Sequence, residues 1–515
     1  MRCFLFAALV MFAPITAHAV DDTRPDLTVA VNAEPNNLDP ASAPFAANFR
    51  VTYSIFDTLI QRDYQAEIDN PSKGLTLKPG LAASWRRIDD QSIELKLREG
   101  VHFHSGREMT AADVAYSLSK ERIFGDKAVA AQAKPYLGDI DAVKVVDKFT
   151  VIVHSAKSNA VLEYQLASPQ AAIVPENAYS QGVDYFKRHP VGTGPIKFVE
   201  WVDGDHLKFN AFDDYFGGRP NFRTVTYRFV PEQASRIAGL VSGEFDLIVQ
   251  VTPDQLNLLK TYPDITTSSV PLQNTQEILF DVRDPVVASA DVRKALSLAI
   301  DRNLILTNIF AGSTTVPTSW EIPEMGAIFV ADRHATDYNP ALARELLAKG
   351  GYNGAVITLR YPAGYYPNGE AVAQVVANMW NAIGVKTELS STETIGQITA
   401  GGSAASLISF TYDMPIPEKG VCAYRGEGTW SAKWMPRMEV FYSGCQQLAG
   451  LFDGAQRKEL FTGMLDDLEA SMPSALLYQQ PQAFAFRKEV HFQAYPHLVM
   501  DMRAQALSFN KGAGE

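Results

Sequence analysis

Ile93-Glu-Leu-Lys-Leu97 alternates apolar and polar residues, the period of a half-buried strand. Glu99-Gly100 turns the chain and Val101-His-Phe103 resumes the alternation, which predicts a hairpin. Ser105-Gly106 turns it again. Thr110 then stands where a helix cap belongs, with Asp113 near the positive end of the helix and Val114 and Leu118 four apart on one face. The same alternation of periods runs through the chain. Leu27–Val31 reads as a first strand leading into the turn-rich loop Glu34–Pro40. Thr224–Val230 reads as a strand, Glu232–Val241 as a helix closed by Gly243, and Phe245–Val251 as a strand before a helix opened by Pro253. Val292, Ala295, Leu296, Ala299 and Ile300 make one apolar helix face. Asn339-Pro340 caps another helix. Ile357–Tyr361, Glu370–Ile383 and Val385–Leu389 then read as strand, helix and strand. Strands alternating with helices predict α/β layering.

At 515 residues the chain is too long for one core, so two or three domains are expected. Met1–Ala19 has Arg2 at its start, an apolar run from Phe4 to Ile15 too short to span a bilayer, and an A-x-A site at Ala17-His-Ala19. It reads as a cleavable signal peptide, with Cys3 ahead of the apolar run and no cysteine placed for lipid attachment. The formal charge of −12, without basic runs, argues against nucleic acid or anionic membrane as a partner. After cleavage Cys422 and Cys445 remain, either bridged in an oxidising compartment or left as two buried thiols.

No HExxH, CxxC, P-loop or GxSxG pattern occurs, so no catalytic residue, metal site or cofactor is expected. Ser117-Leu-Ser-Lys120 matches SxxK but has no KTG partner, and reads as a surface helix segment. His102 and His104 share a strand face without a third ligand nearby, and read as a solvated or hydrogen-bonded pair. Gly192-Thr-Gly194 is followed by Pro195, which blocks the helix a dinucleotide site needs; its glycines suit a tight turn.

Three stretches resemble one family. They are Leu81-Ala-Ala-Ser-Trp85 with Leu97–Gly106 and Met109–Leu118, then Val191-Gly-Thr-Gly-Pro-Ile-Lys-Phe-Val-Glu-Trp201, then Asp291-Val-Arg-Lys-Ala-Leu-Ser-Leu-Ala-Ile-Asp301. Their order is similar to that in the extracytoplasmic solute-binding proteins, family 5, of the oligopeptide, dipeptide, nickel and opine ABC importers. The resemblance implies a two-lobe, periplasmic-binding-protein-like α/β fold (type II, cluster C) with an extra α+β subdomain. Lobe I would comprise 20–62, 189–277 and 474–515, the subdomain 63–188, and lobe II 278–473. It implies a monomeric periplasmic receptor that hands a small-molecule or peptide ligand to ABC permease and ATPase subunits. Ser409-Phe-Thr-Tyr-Asp413 is similar to the family segment whose aspartate binds a peptide amine, which makes Asp413, with Tyr412 beside it, a candidate contact. Peptide binders often continue D-Y-x-x-P, whereas here Asp413-Met-Pro-Ile-Pro417 follows. Glu34 and Asn36 lie in a loop that borders the family's cleft. Arg425 and Trp430, in a Gly-rich aromatic loop, suit a carboxylate and an apolar ligand surface. Tyr365 and Tyr366 follow a strand end, where open α/β sheets place ligands. The expected ligand is a short peptide or opine-like conjugate bearing an amine. Nickel chelate, oligosaccharide or a sensing role for chemotaxis are the alternatives, and an exported hydrolase the rival class.

Overall fold

The computed structural model describes residues 22–41, 46–70, 73–412 and 414–510. The expected signal peptide, Met1–Ala19, and Asp413 lie outside them. Seven strands form a first sheet in the order Ile265–Pro271, Pro481–Arg487, Leu247–Val249, Asp26–Val31, Thr224–Phe229, His206–Ala211 and Ile196–Val202. Asp26–Val31 runs parallel to both of its neighbours. Five strands form a second sheet in the order Lys386–Thr392, Val356–Pro362, Ala405–Thr411, Asn274–Phe280 and Ser474–Tyr478. Helices cover the second sheet: Val292 and Leu296 of Ala290–Leu298, and Val376 and Trp380 of Gly369–Ala382, are buried against Leu359 and Leu407. Burying each such side chain contributes about 1.5–3 kcal/mol.

The chain passes from the first sheet to the second between Pro271 and Asn274, and returns between Tyr478 and Pro481. The second lobe therefore starts slightly earlier, and ends slightly later, than the expected 278–473. The cause is register: Asn274–Phe280 pairs along its whole length with Ala405–Thr411.

A four-stranded antiparallel sheet lies within the expected subdomain. Ser92–Leu97 pairs there with Ala82–Arg87 on one side and Thr150–Ser155 on the other. Both edges are thus occupied, and Val101–Phe103 cannot complete the predicted hairpin. It folds back on its own continuation instead, with Phe103 N donating to Arg107 O at 2.9 Å. The helix Ala111–Ser117 carries the Thr110–Asp113 capping box, and Val114 and Leu118 are buried. Ser117 is not on the surface: its hydroxyl donates to Val174 O and accepts from Val174 N.

His104 joins the subdomain to the first lobe. Its backbone N donates to Gly192 O at 2.9 Å, Nδ1 accepts from Gly192 N at 3.2 Å, and Nε2 donates to Gly194 O at 2.9 Å. The His102–His104 and Val191–Trp201 stretches, far apart in sequence, are therefore two halves of one contact. Both glycines have ordinary backbone angles. What requires glycine is close approach, because a Cβ at Gly192 would strike the carbonyl oxygen of Ile55 and one at Gly194 those of Ser54 and Ile55. Beside them Thr193 donates to Asp57 at 2.9 Å, and Arg503 bonds Asp57 at 2.6 Å and Asp501 at 2.9 Å.

An Nδ1 that accepts a backbone N–H keeps His104 neutral, and burial pulls its pKa from 6.5 down to about 4. Since the folded value is depressed, the unfolded chain takes up this proton first. The stabilisation is complete above about pH 6.5 and is lost as pH falls towards 4. His497, pulled down to about 3 by burial, acts in the same direction. Urea unfolding between pH 6 and 4.5 should show the free energy dropping by about 1.4 kcal/mol or more per pH unit. A His104→Phe variant should show a shallower slope, and an unchanged slope would remove His104 as its source.

Candidate functional site

The parallel strands of both sheets point their carboxyl ends at one cleft, where open α/β sheets present loop residues to ligands. Asn32 follows Asp26–Val31, Gln250 follows Leu247–Val249, Gly364–Tyr366 follow Val356–Pro362, and Thr411 ends Ala405–Thr411. All of them line a cavity of about 560 Å³ between the sheets. The helix Ala46–Ile55 adds Asn48, Phe49 and Arg50, the returning strand adds Gln480 and Gln482, and the subdomain adds Tyr136. That volume suits a solute of drug-like size. Gln250 holds φ at 54°, and a side chain kept in that region at a cavity wall is strain of the kind that collects at ligand sites.

The subdomain and the second lobe meet along one side of the cleft. Met414 and Ile416, just past Asp413, are buried in the subdomain core, Lys419 Nζ donates to Pro135 O at 3.1 Å, and Ala160 N donates to Ala449 O at 2.7 Å. Cys422 and Cys445 are bridged, with Cα atoms 5.6 Å apart. The bridge borders a second cavity of about 400 Å³ that shares Tyr136 and Tyr424 with the cleft.

Four of the sequence candidates reach the cleft wall. Tyr365 is half exposed there, and its ring meets Tyr366 edge-on at 4.9 Å. Tyr366 is buried and its hydroxyl accepts from Ser409 N at 2.9 Å, which stiffens the wall. Glu34 accepts from Trp201 Nε1 at 2.6 Å and Gly204 N at 3.1 Å. Asn36 and Asn48 exchange two hydrogen bonds, N to Oδ1 at 3.1 Å and Nδ2 to Oδ1 at 2.8 Å, which pin the loop to the helix.

Three other candidates lie away from it. Arg425 is fully buried, bonded through Nη2 to the equally buried Glu277, with its guanidinium 4.5 Å from the Phe410 ring centroid. An aromatic, Gly-rich loop around an arginine looks the same in sequence whether it faces ligand or core; a glutamate on a distant strand decides it here. Tyr412 is buried, its hydroxyl donating to Trp320 O at 3.2 Å. Trp430 packs on Trp434 at 5.1 Å and Phe410 at 6.0 Å. Asp413, next after Tyr412, lies outside the described residues.

Sequence reasoning passed over Asn32, Arg50, Gln250, Gln482 and His497, which belong to no motif. One signal was present: Gln479, Gln480 and Gln482 crowd the start of an otherwise apolar strand. Such amides are out of place unless something polar faces them.

Two sheeted lobes, joined by two crossings, thus frame a ligand-sized cleft. The chain belongs to the bacterial extracellular solute-binding proteins, family 5 (Middle), whose family model matches residues 76–432. It is 25% identical over 468 residues to the glutathione-binding protein GsiB of Shigella flexneri serotype 5b, covering 87% of this chain and 88% of that one. Its fold matches the dipeptide-binding protein of Pseudoalteromonas sp. SM9913 in complex with Met-Leu, with a TM-score of 0.83 and 20% identity over 94% of this chain and 100% of that one. It also matches AgaA in complex with agropinic acid from Agrobacterium tumefaciens R10, with a TM-score of 0.78 and 22% identity over 94% and 99% of the two chains. Proteins of this family are substrate-binding components of ABC importers and are not enzymes.

Removing one partner of a buried ion pair leaves the other charge uncompensated, at a cost of about 3–5 kcal/mol. Glu277→Gln and Arg425→Met should each lower the unfolding free energy by about that amount in urea titrations. A change below about 1 kcal/mol would show that Arg425 is not held by this pair.

Proposed function

We propose that this protein captures a small amine-bearing solute, a short peptide or an opine-like amino-acid conjugate, between its lobes in the periplasm and delivers it to a membrane permease. The leader Met1–Ala19 exports it, and a monomer suffices, since the cleft draws its walls from one chain. The observation that carries this reading is the course of the strand Ala405–Thr411: Thr411 lines the cleft and Asp413 follows two residues later. An ammonium moved out of water needs an opposite charge close by, and that is the role the family resemblance implies for Asp413. Relatives bearing the names of glutathione-binding and dipeptide-binding proteins support the same ligand class.

Ligand closes such a receptor only through better affinity for the closed form. Thermal unfolding of the mature protein against dipeptides, tripeptides, opines, oligosaccharides and chelated nickel tests the reading. A ligand at about 100 times its Kd adds about 2.7 kcal/mol of stability, and the midpoint should rise with an amine-bearing solute. Asp413→Ala should abolish that rise. Stabilisation by oligosaccharide alone, or an undiminished rise in Asp413→Ala, would overturn the amine assignment.

A further inference from the structure

Just past the strand Ala405–Thr411 the chain reads Met414-Pro-Ile-Pro417. Each proline fixes its own φ, so the segment is stiff and carries its two apolar side chains as a unit. By connectivity it belongs to the second lobe, since it lies between two strands of that lobe's sheet. Its side chains are nevertheless buried outside that lobe. Met414 is 1% exposed and Ile416 8%, both in the core that Leu95, Phe103, Val114 and Val153 build in the subdomain. Met414 also closes a recess of about 30 Å³ whose other walls, Tyr53, Phe56, Ala167, Pro169 and Arg503 among them, come from the first lobe and the subdomain.

Around these two side chains the subdomain and the second lobe touch at separate points. Ala160 N donates to Ala449 O at 2.7 Å, Lys419 Nζ donates to Pro135 O at 3.1 Å, and the Arg87 guanidinium lies 5.0 Å from the Phe452 ring centroid. Gly74 and Gly326 meet so closely that a Cβ on Gly74 would lie 2.9 Å from the Gly326 Cα. No strand ladder among the described residues joins the two units. The subdomain is held to the first lobe through His104, and the chain enters and leaves the second lobe only at the two crossings. A rotation about those crossings therefore draws Met414 and Ile416 out of the subdomain.

We propose that Met414 and Ile416 form a plug that the second lobe seats in the subdomain on closing, so that the subdomain serves as the latch of the closed form. The proposal rests on the reading that the lobes open and close about this cleft. In the open form both side chains face water, and returning them to their socket favours closure whatever the solute. The latch contributes to the closed form alone, so it raises affinity for every solute by one common factor and selects none. Asp413 immediately precedes the plug in the chain, so the contact proposed for the amine and the plug ride on one stretch of backbone.

Oxidation of methionine by hydrogen peroxide, followed by peptide mass spectrometry, tests the plug with no solute required. The protein is first stripped of bound solute by refolding from urea. Met109, fully buried in the same core and carried by the subdomain itself, is the internal standard. Met414 should oxidise at least tenfold faster than Met109; equal rates would show that the plug never leaves its socket and would overturn the proposal. Bridging the contact with Ala160→Cys and Ala449→Cys should bring Met414 down to the rate of Met109, and undiminished oxidation in the bridged protein would also overturn it. Met414→Ala gives the second arm. Its thermal midpoint without solute should equal that of wild type, whereas loss of a side chain that merely fills a core would lower it. Each solute that stabilises wild type should bind this variant more weakly by the same factor, about tenfold. A lowered midpoint, or factors that differ between solutes, would overturn the latch. Should no amine-bearing solute bind, the oxidation arm still decides the latch; should the latch fail, the amine assignment stands on its own titrations.

Discussion

The constraint on which the rest depends is the pair of crossings between the sheets. At these points the backbone has left one ladder and not yet joined the next, so its polar groups need other partners. They find them in each other. Leu272 N donates to Gln480 O at 2.8 Å, Gln479 Nε2 to Leu272 O at 2.9 Å, Gln480 N to Asn274 Oδ1 and Asn274 Nδ2 to Gln480 Oε1, both at 2.8 Å. The two crossings are laced into one joint. Asn274 Nδ2 also reaches Ser409 Oγ at 3.0 Å, and Gln480 lines the cleft, so the joint and the binding wall share side chains. A movement of one lobe about this joint changes the wall directly.

The frame around the joint was legible because it is built from local signals. Capping at Thr110, the apolar face from Val292 to Ile300 and the glycine stop at Gly243 are short-range chemistry, and each appears where its pattern placed it. The motifs that carried the family resemblance proved to be contacts rather than isolated turns. His104 meets Gly192 and Gly194; Trp201 holds Glu34; Asp57, Thr193, Tyr215 and Arg503 share one buried cluster. A motif read alone shows only its turn residues, which is why Gly192 and Gly194 suggested backbone freedom when the requirement was space.

The binding wall was less legible for a related reason. Whether a polar side chain faces a cleft or a core depends on partners far away in sequence. Arg425 and Trp430 had the composition of a ligand loop, and Glu277 with Phe410 drew them into the lobe instead. Arg50 had no motif around it, and its isolation shows only once the acids near it in space are counted. The predicted hairpin at Val101–Phe103 failed in the same way: a correct local pattern met a strand whose two edges were already taken.

Burial therefore separates two kinds of polar group in this chain. Where a buried charge meets acids or carbonyls, as at Arg503 or Arg302, removing the charge disturbs the fold. Where it meets neither, as at Arg50, which bonds only Asn32, the charge is itself a cost to the fold. A ligand shifts the balance of open and closed forms only by what it contributes differently to the two.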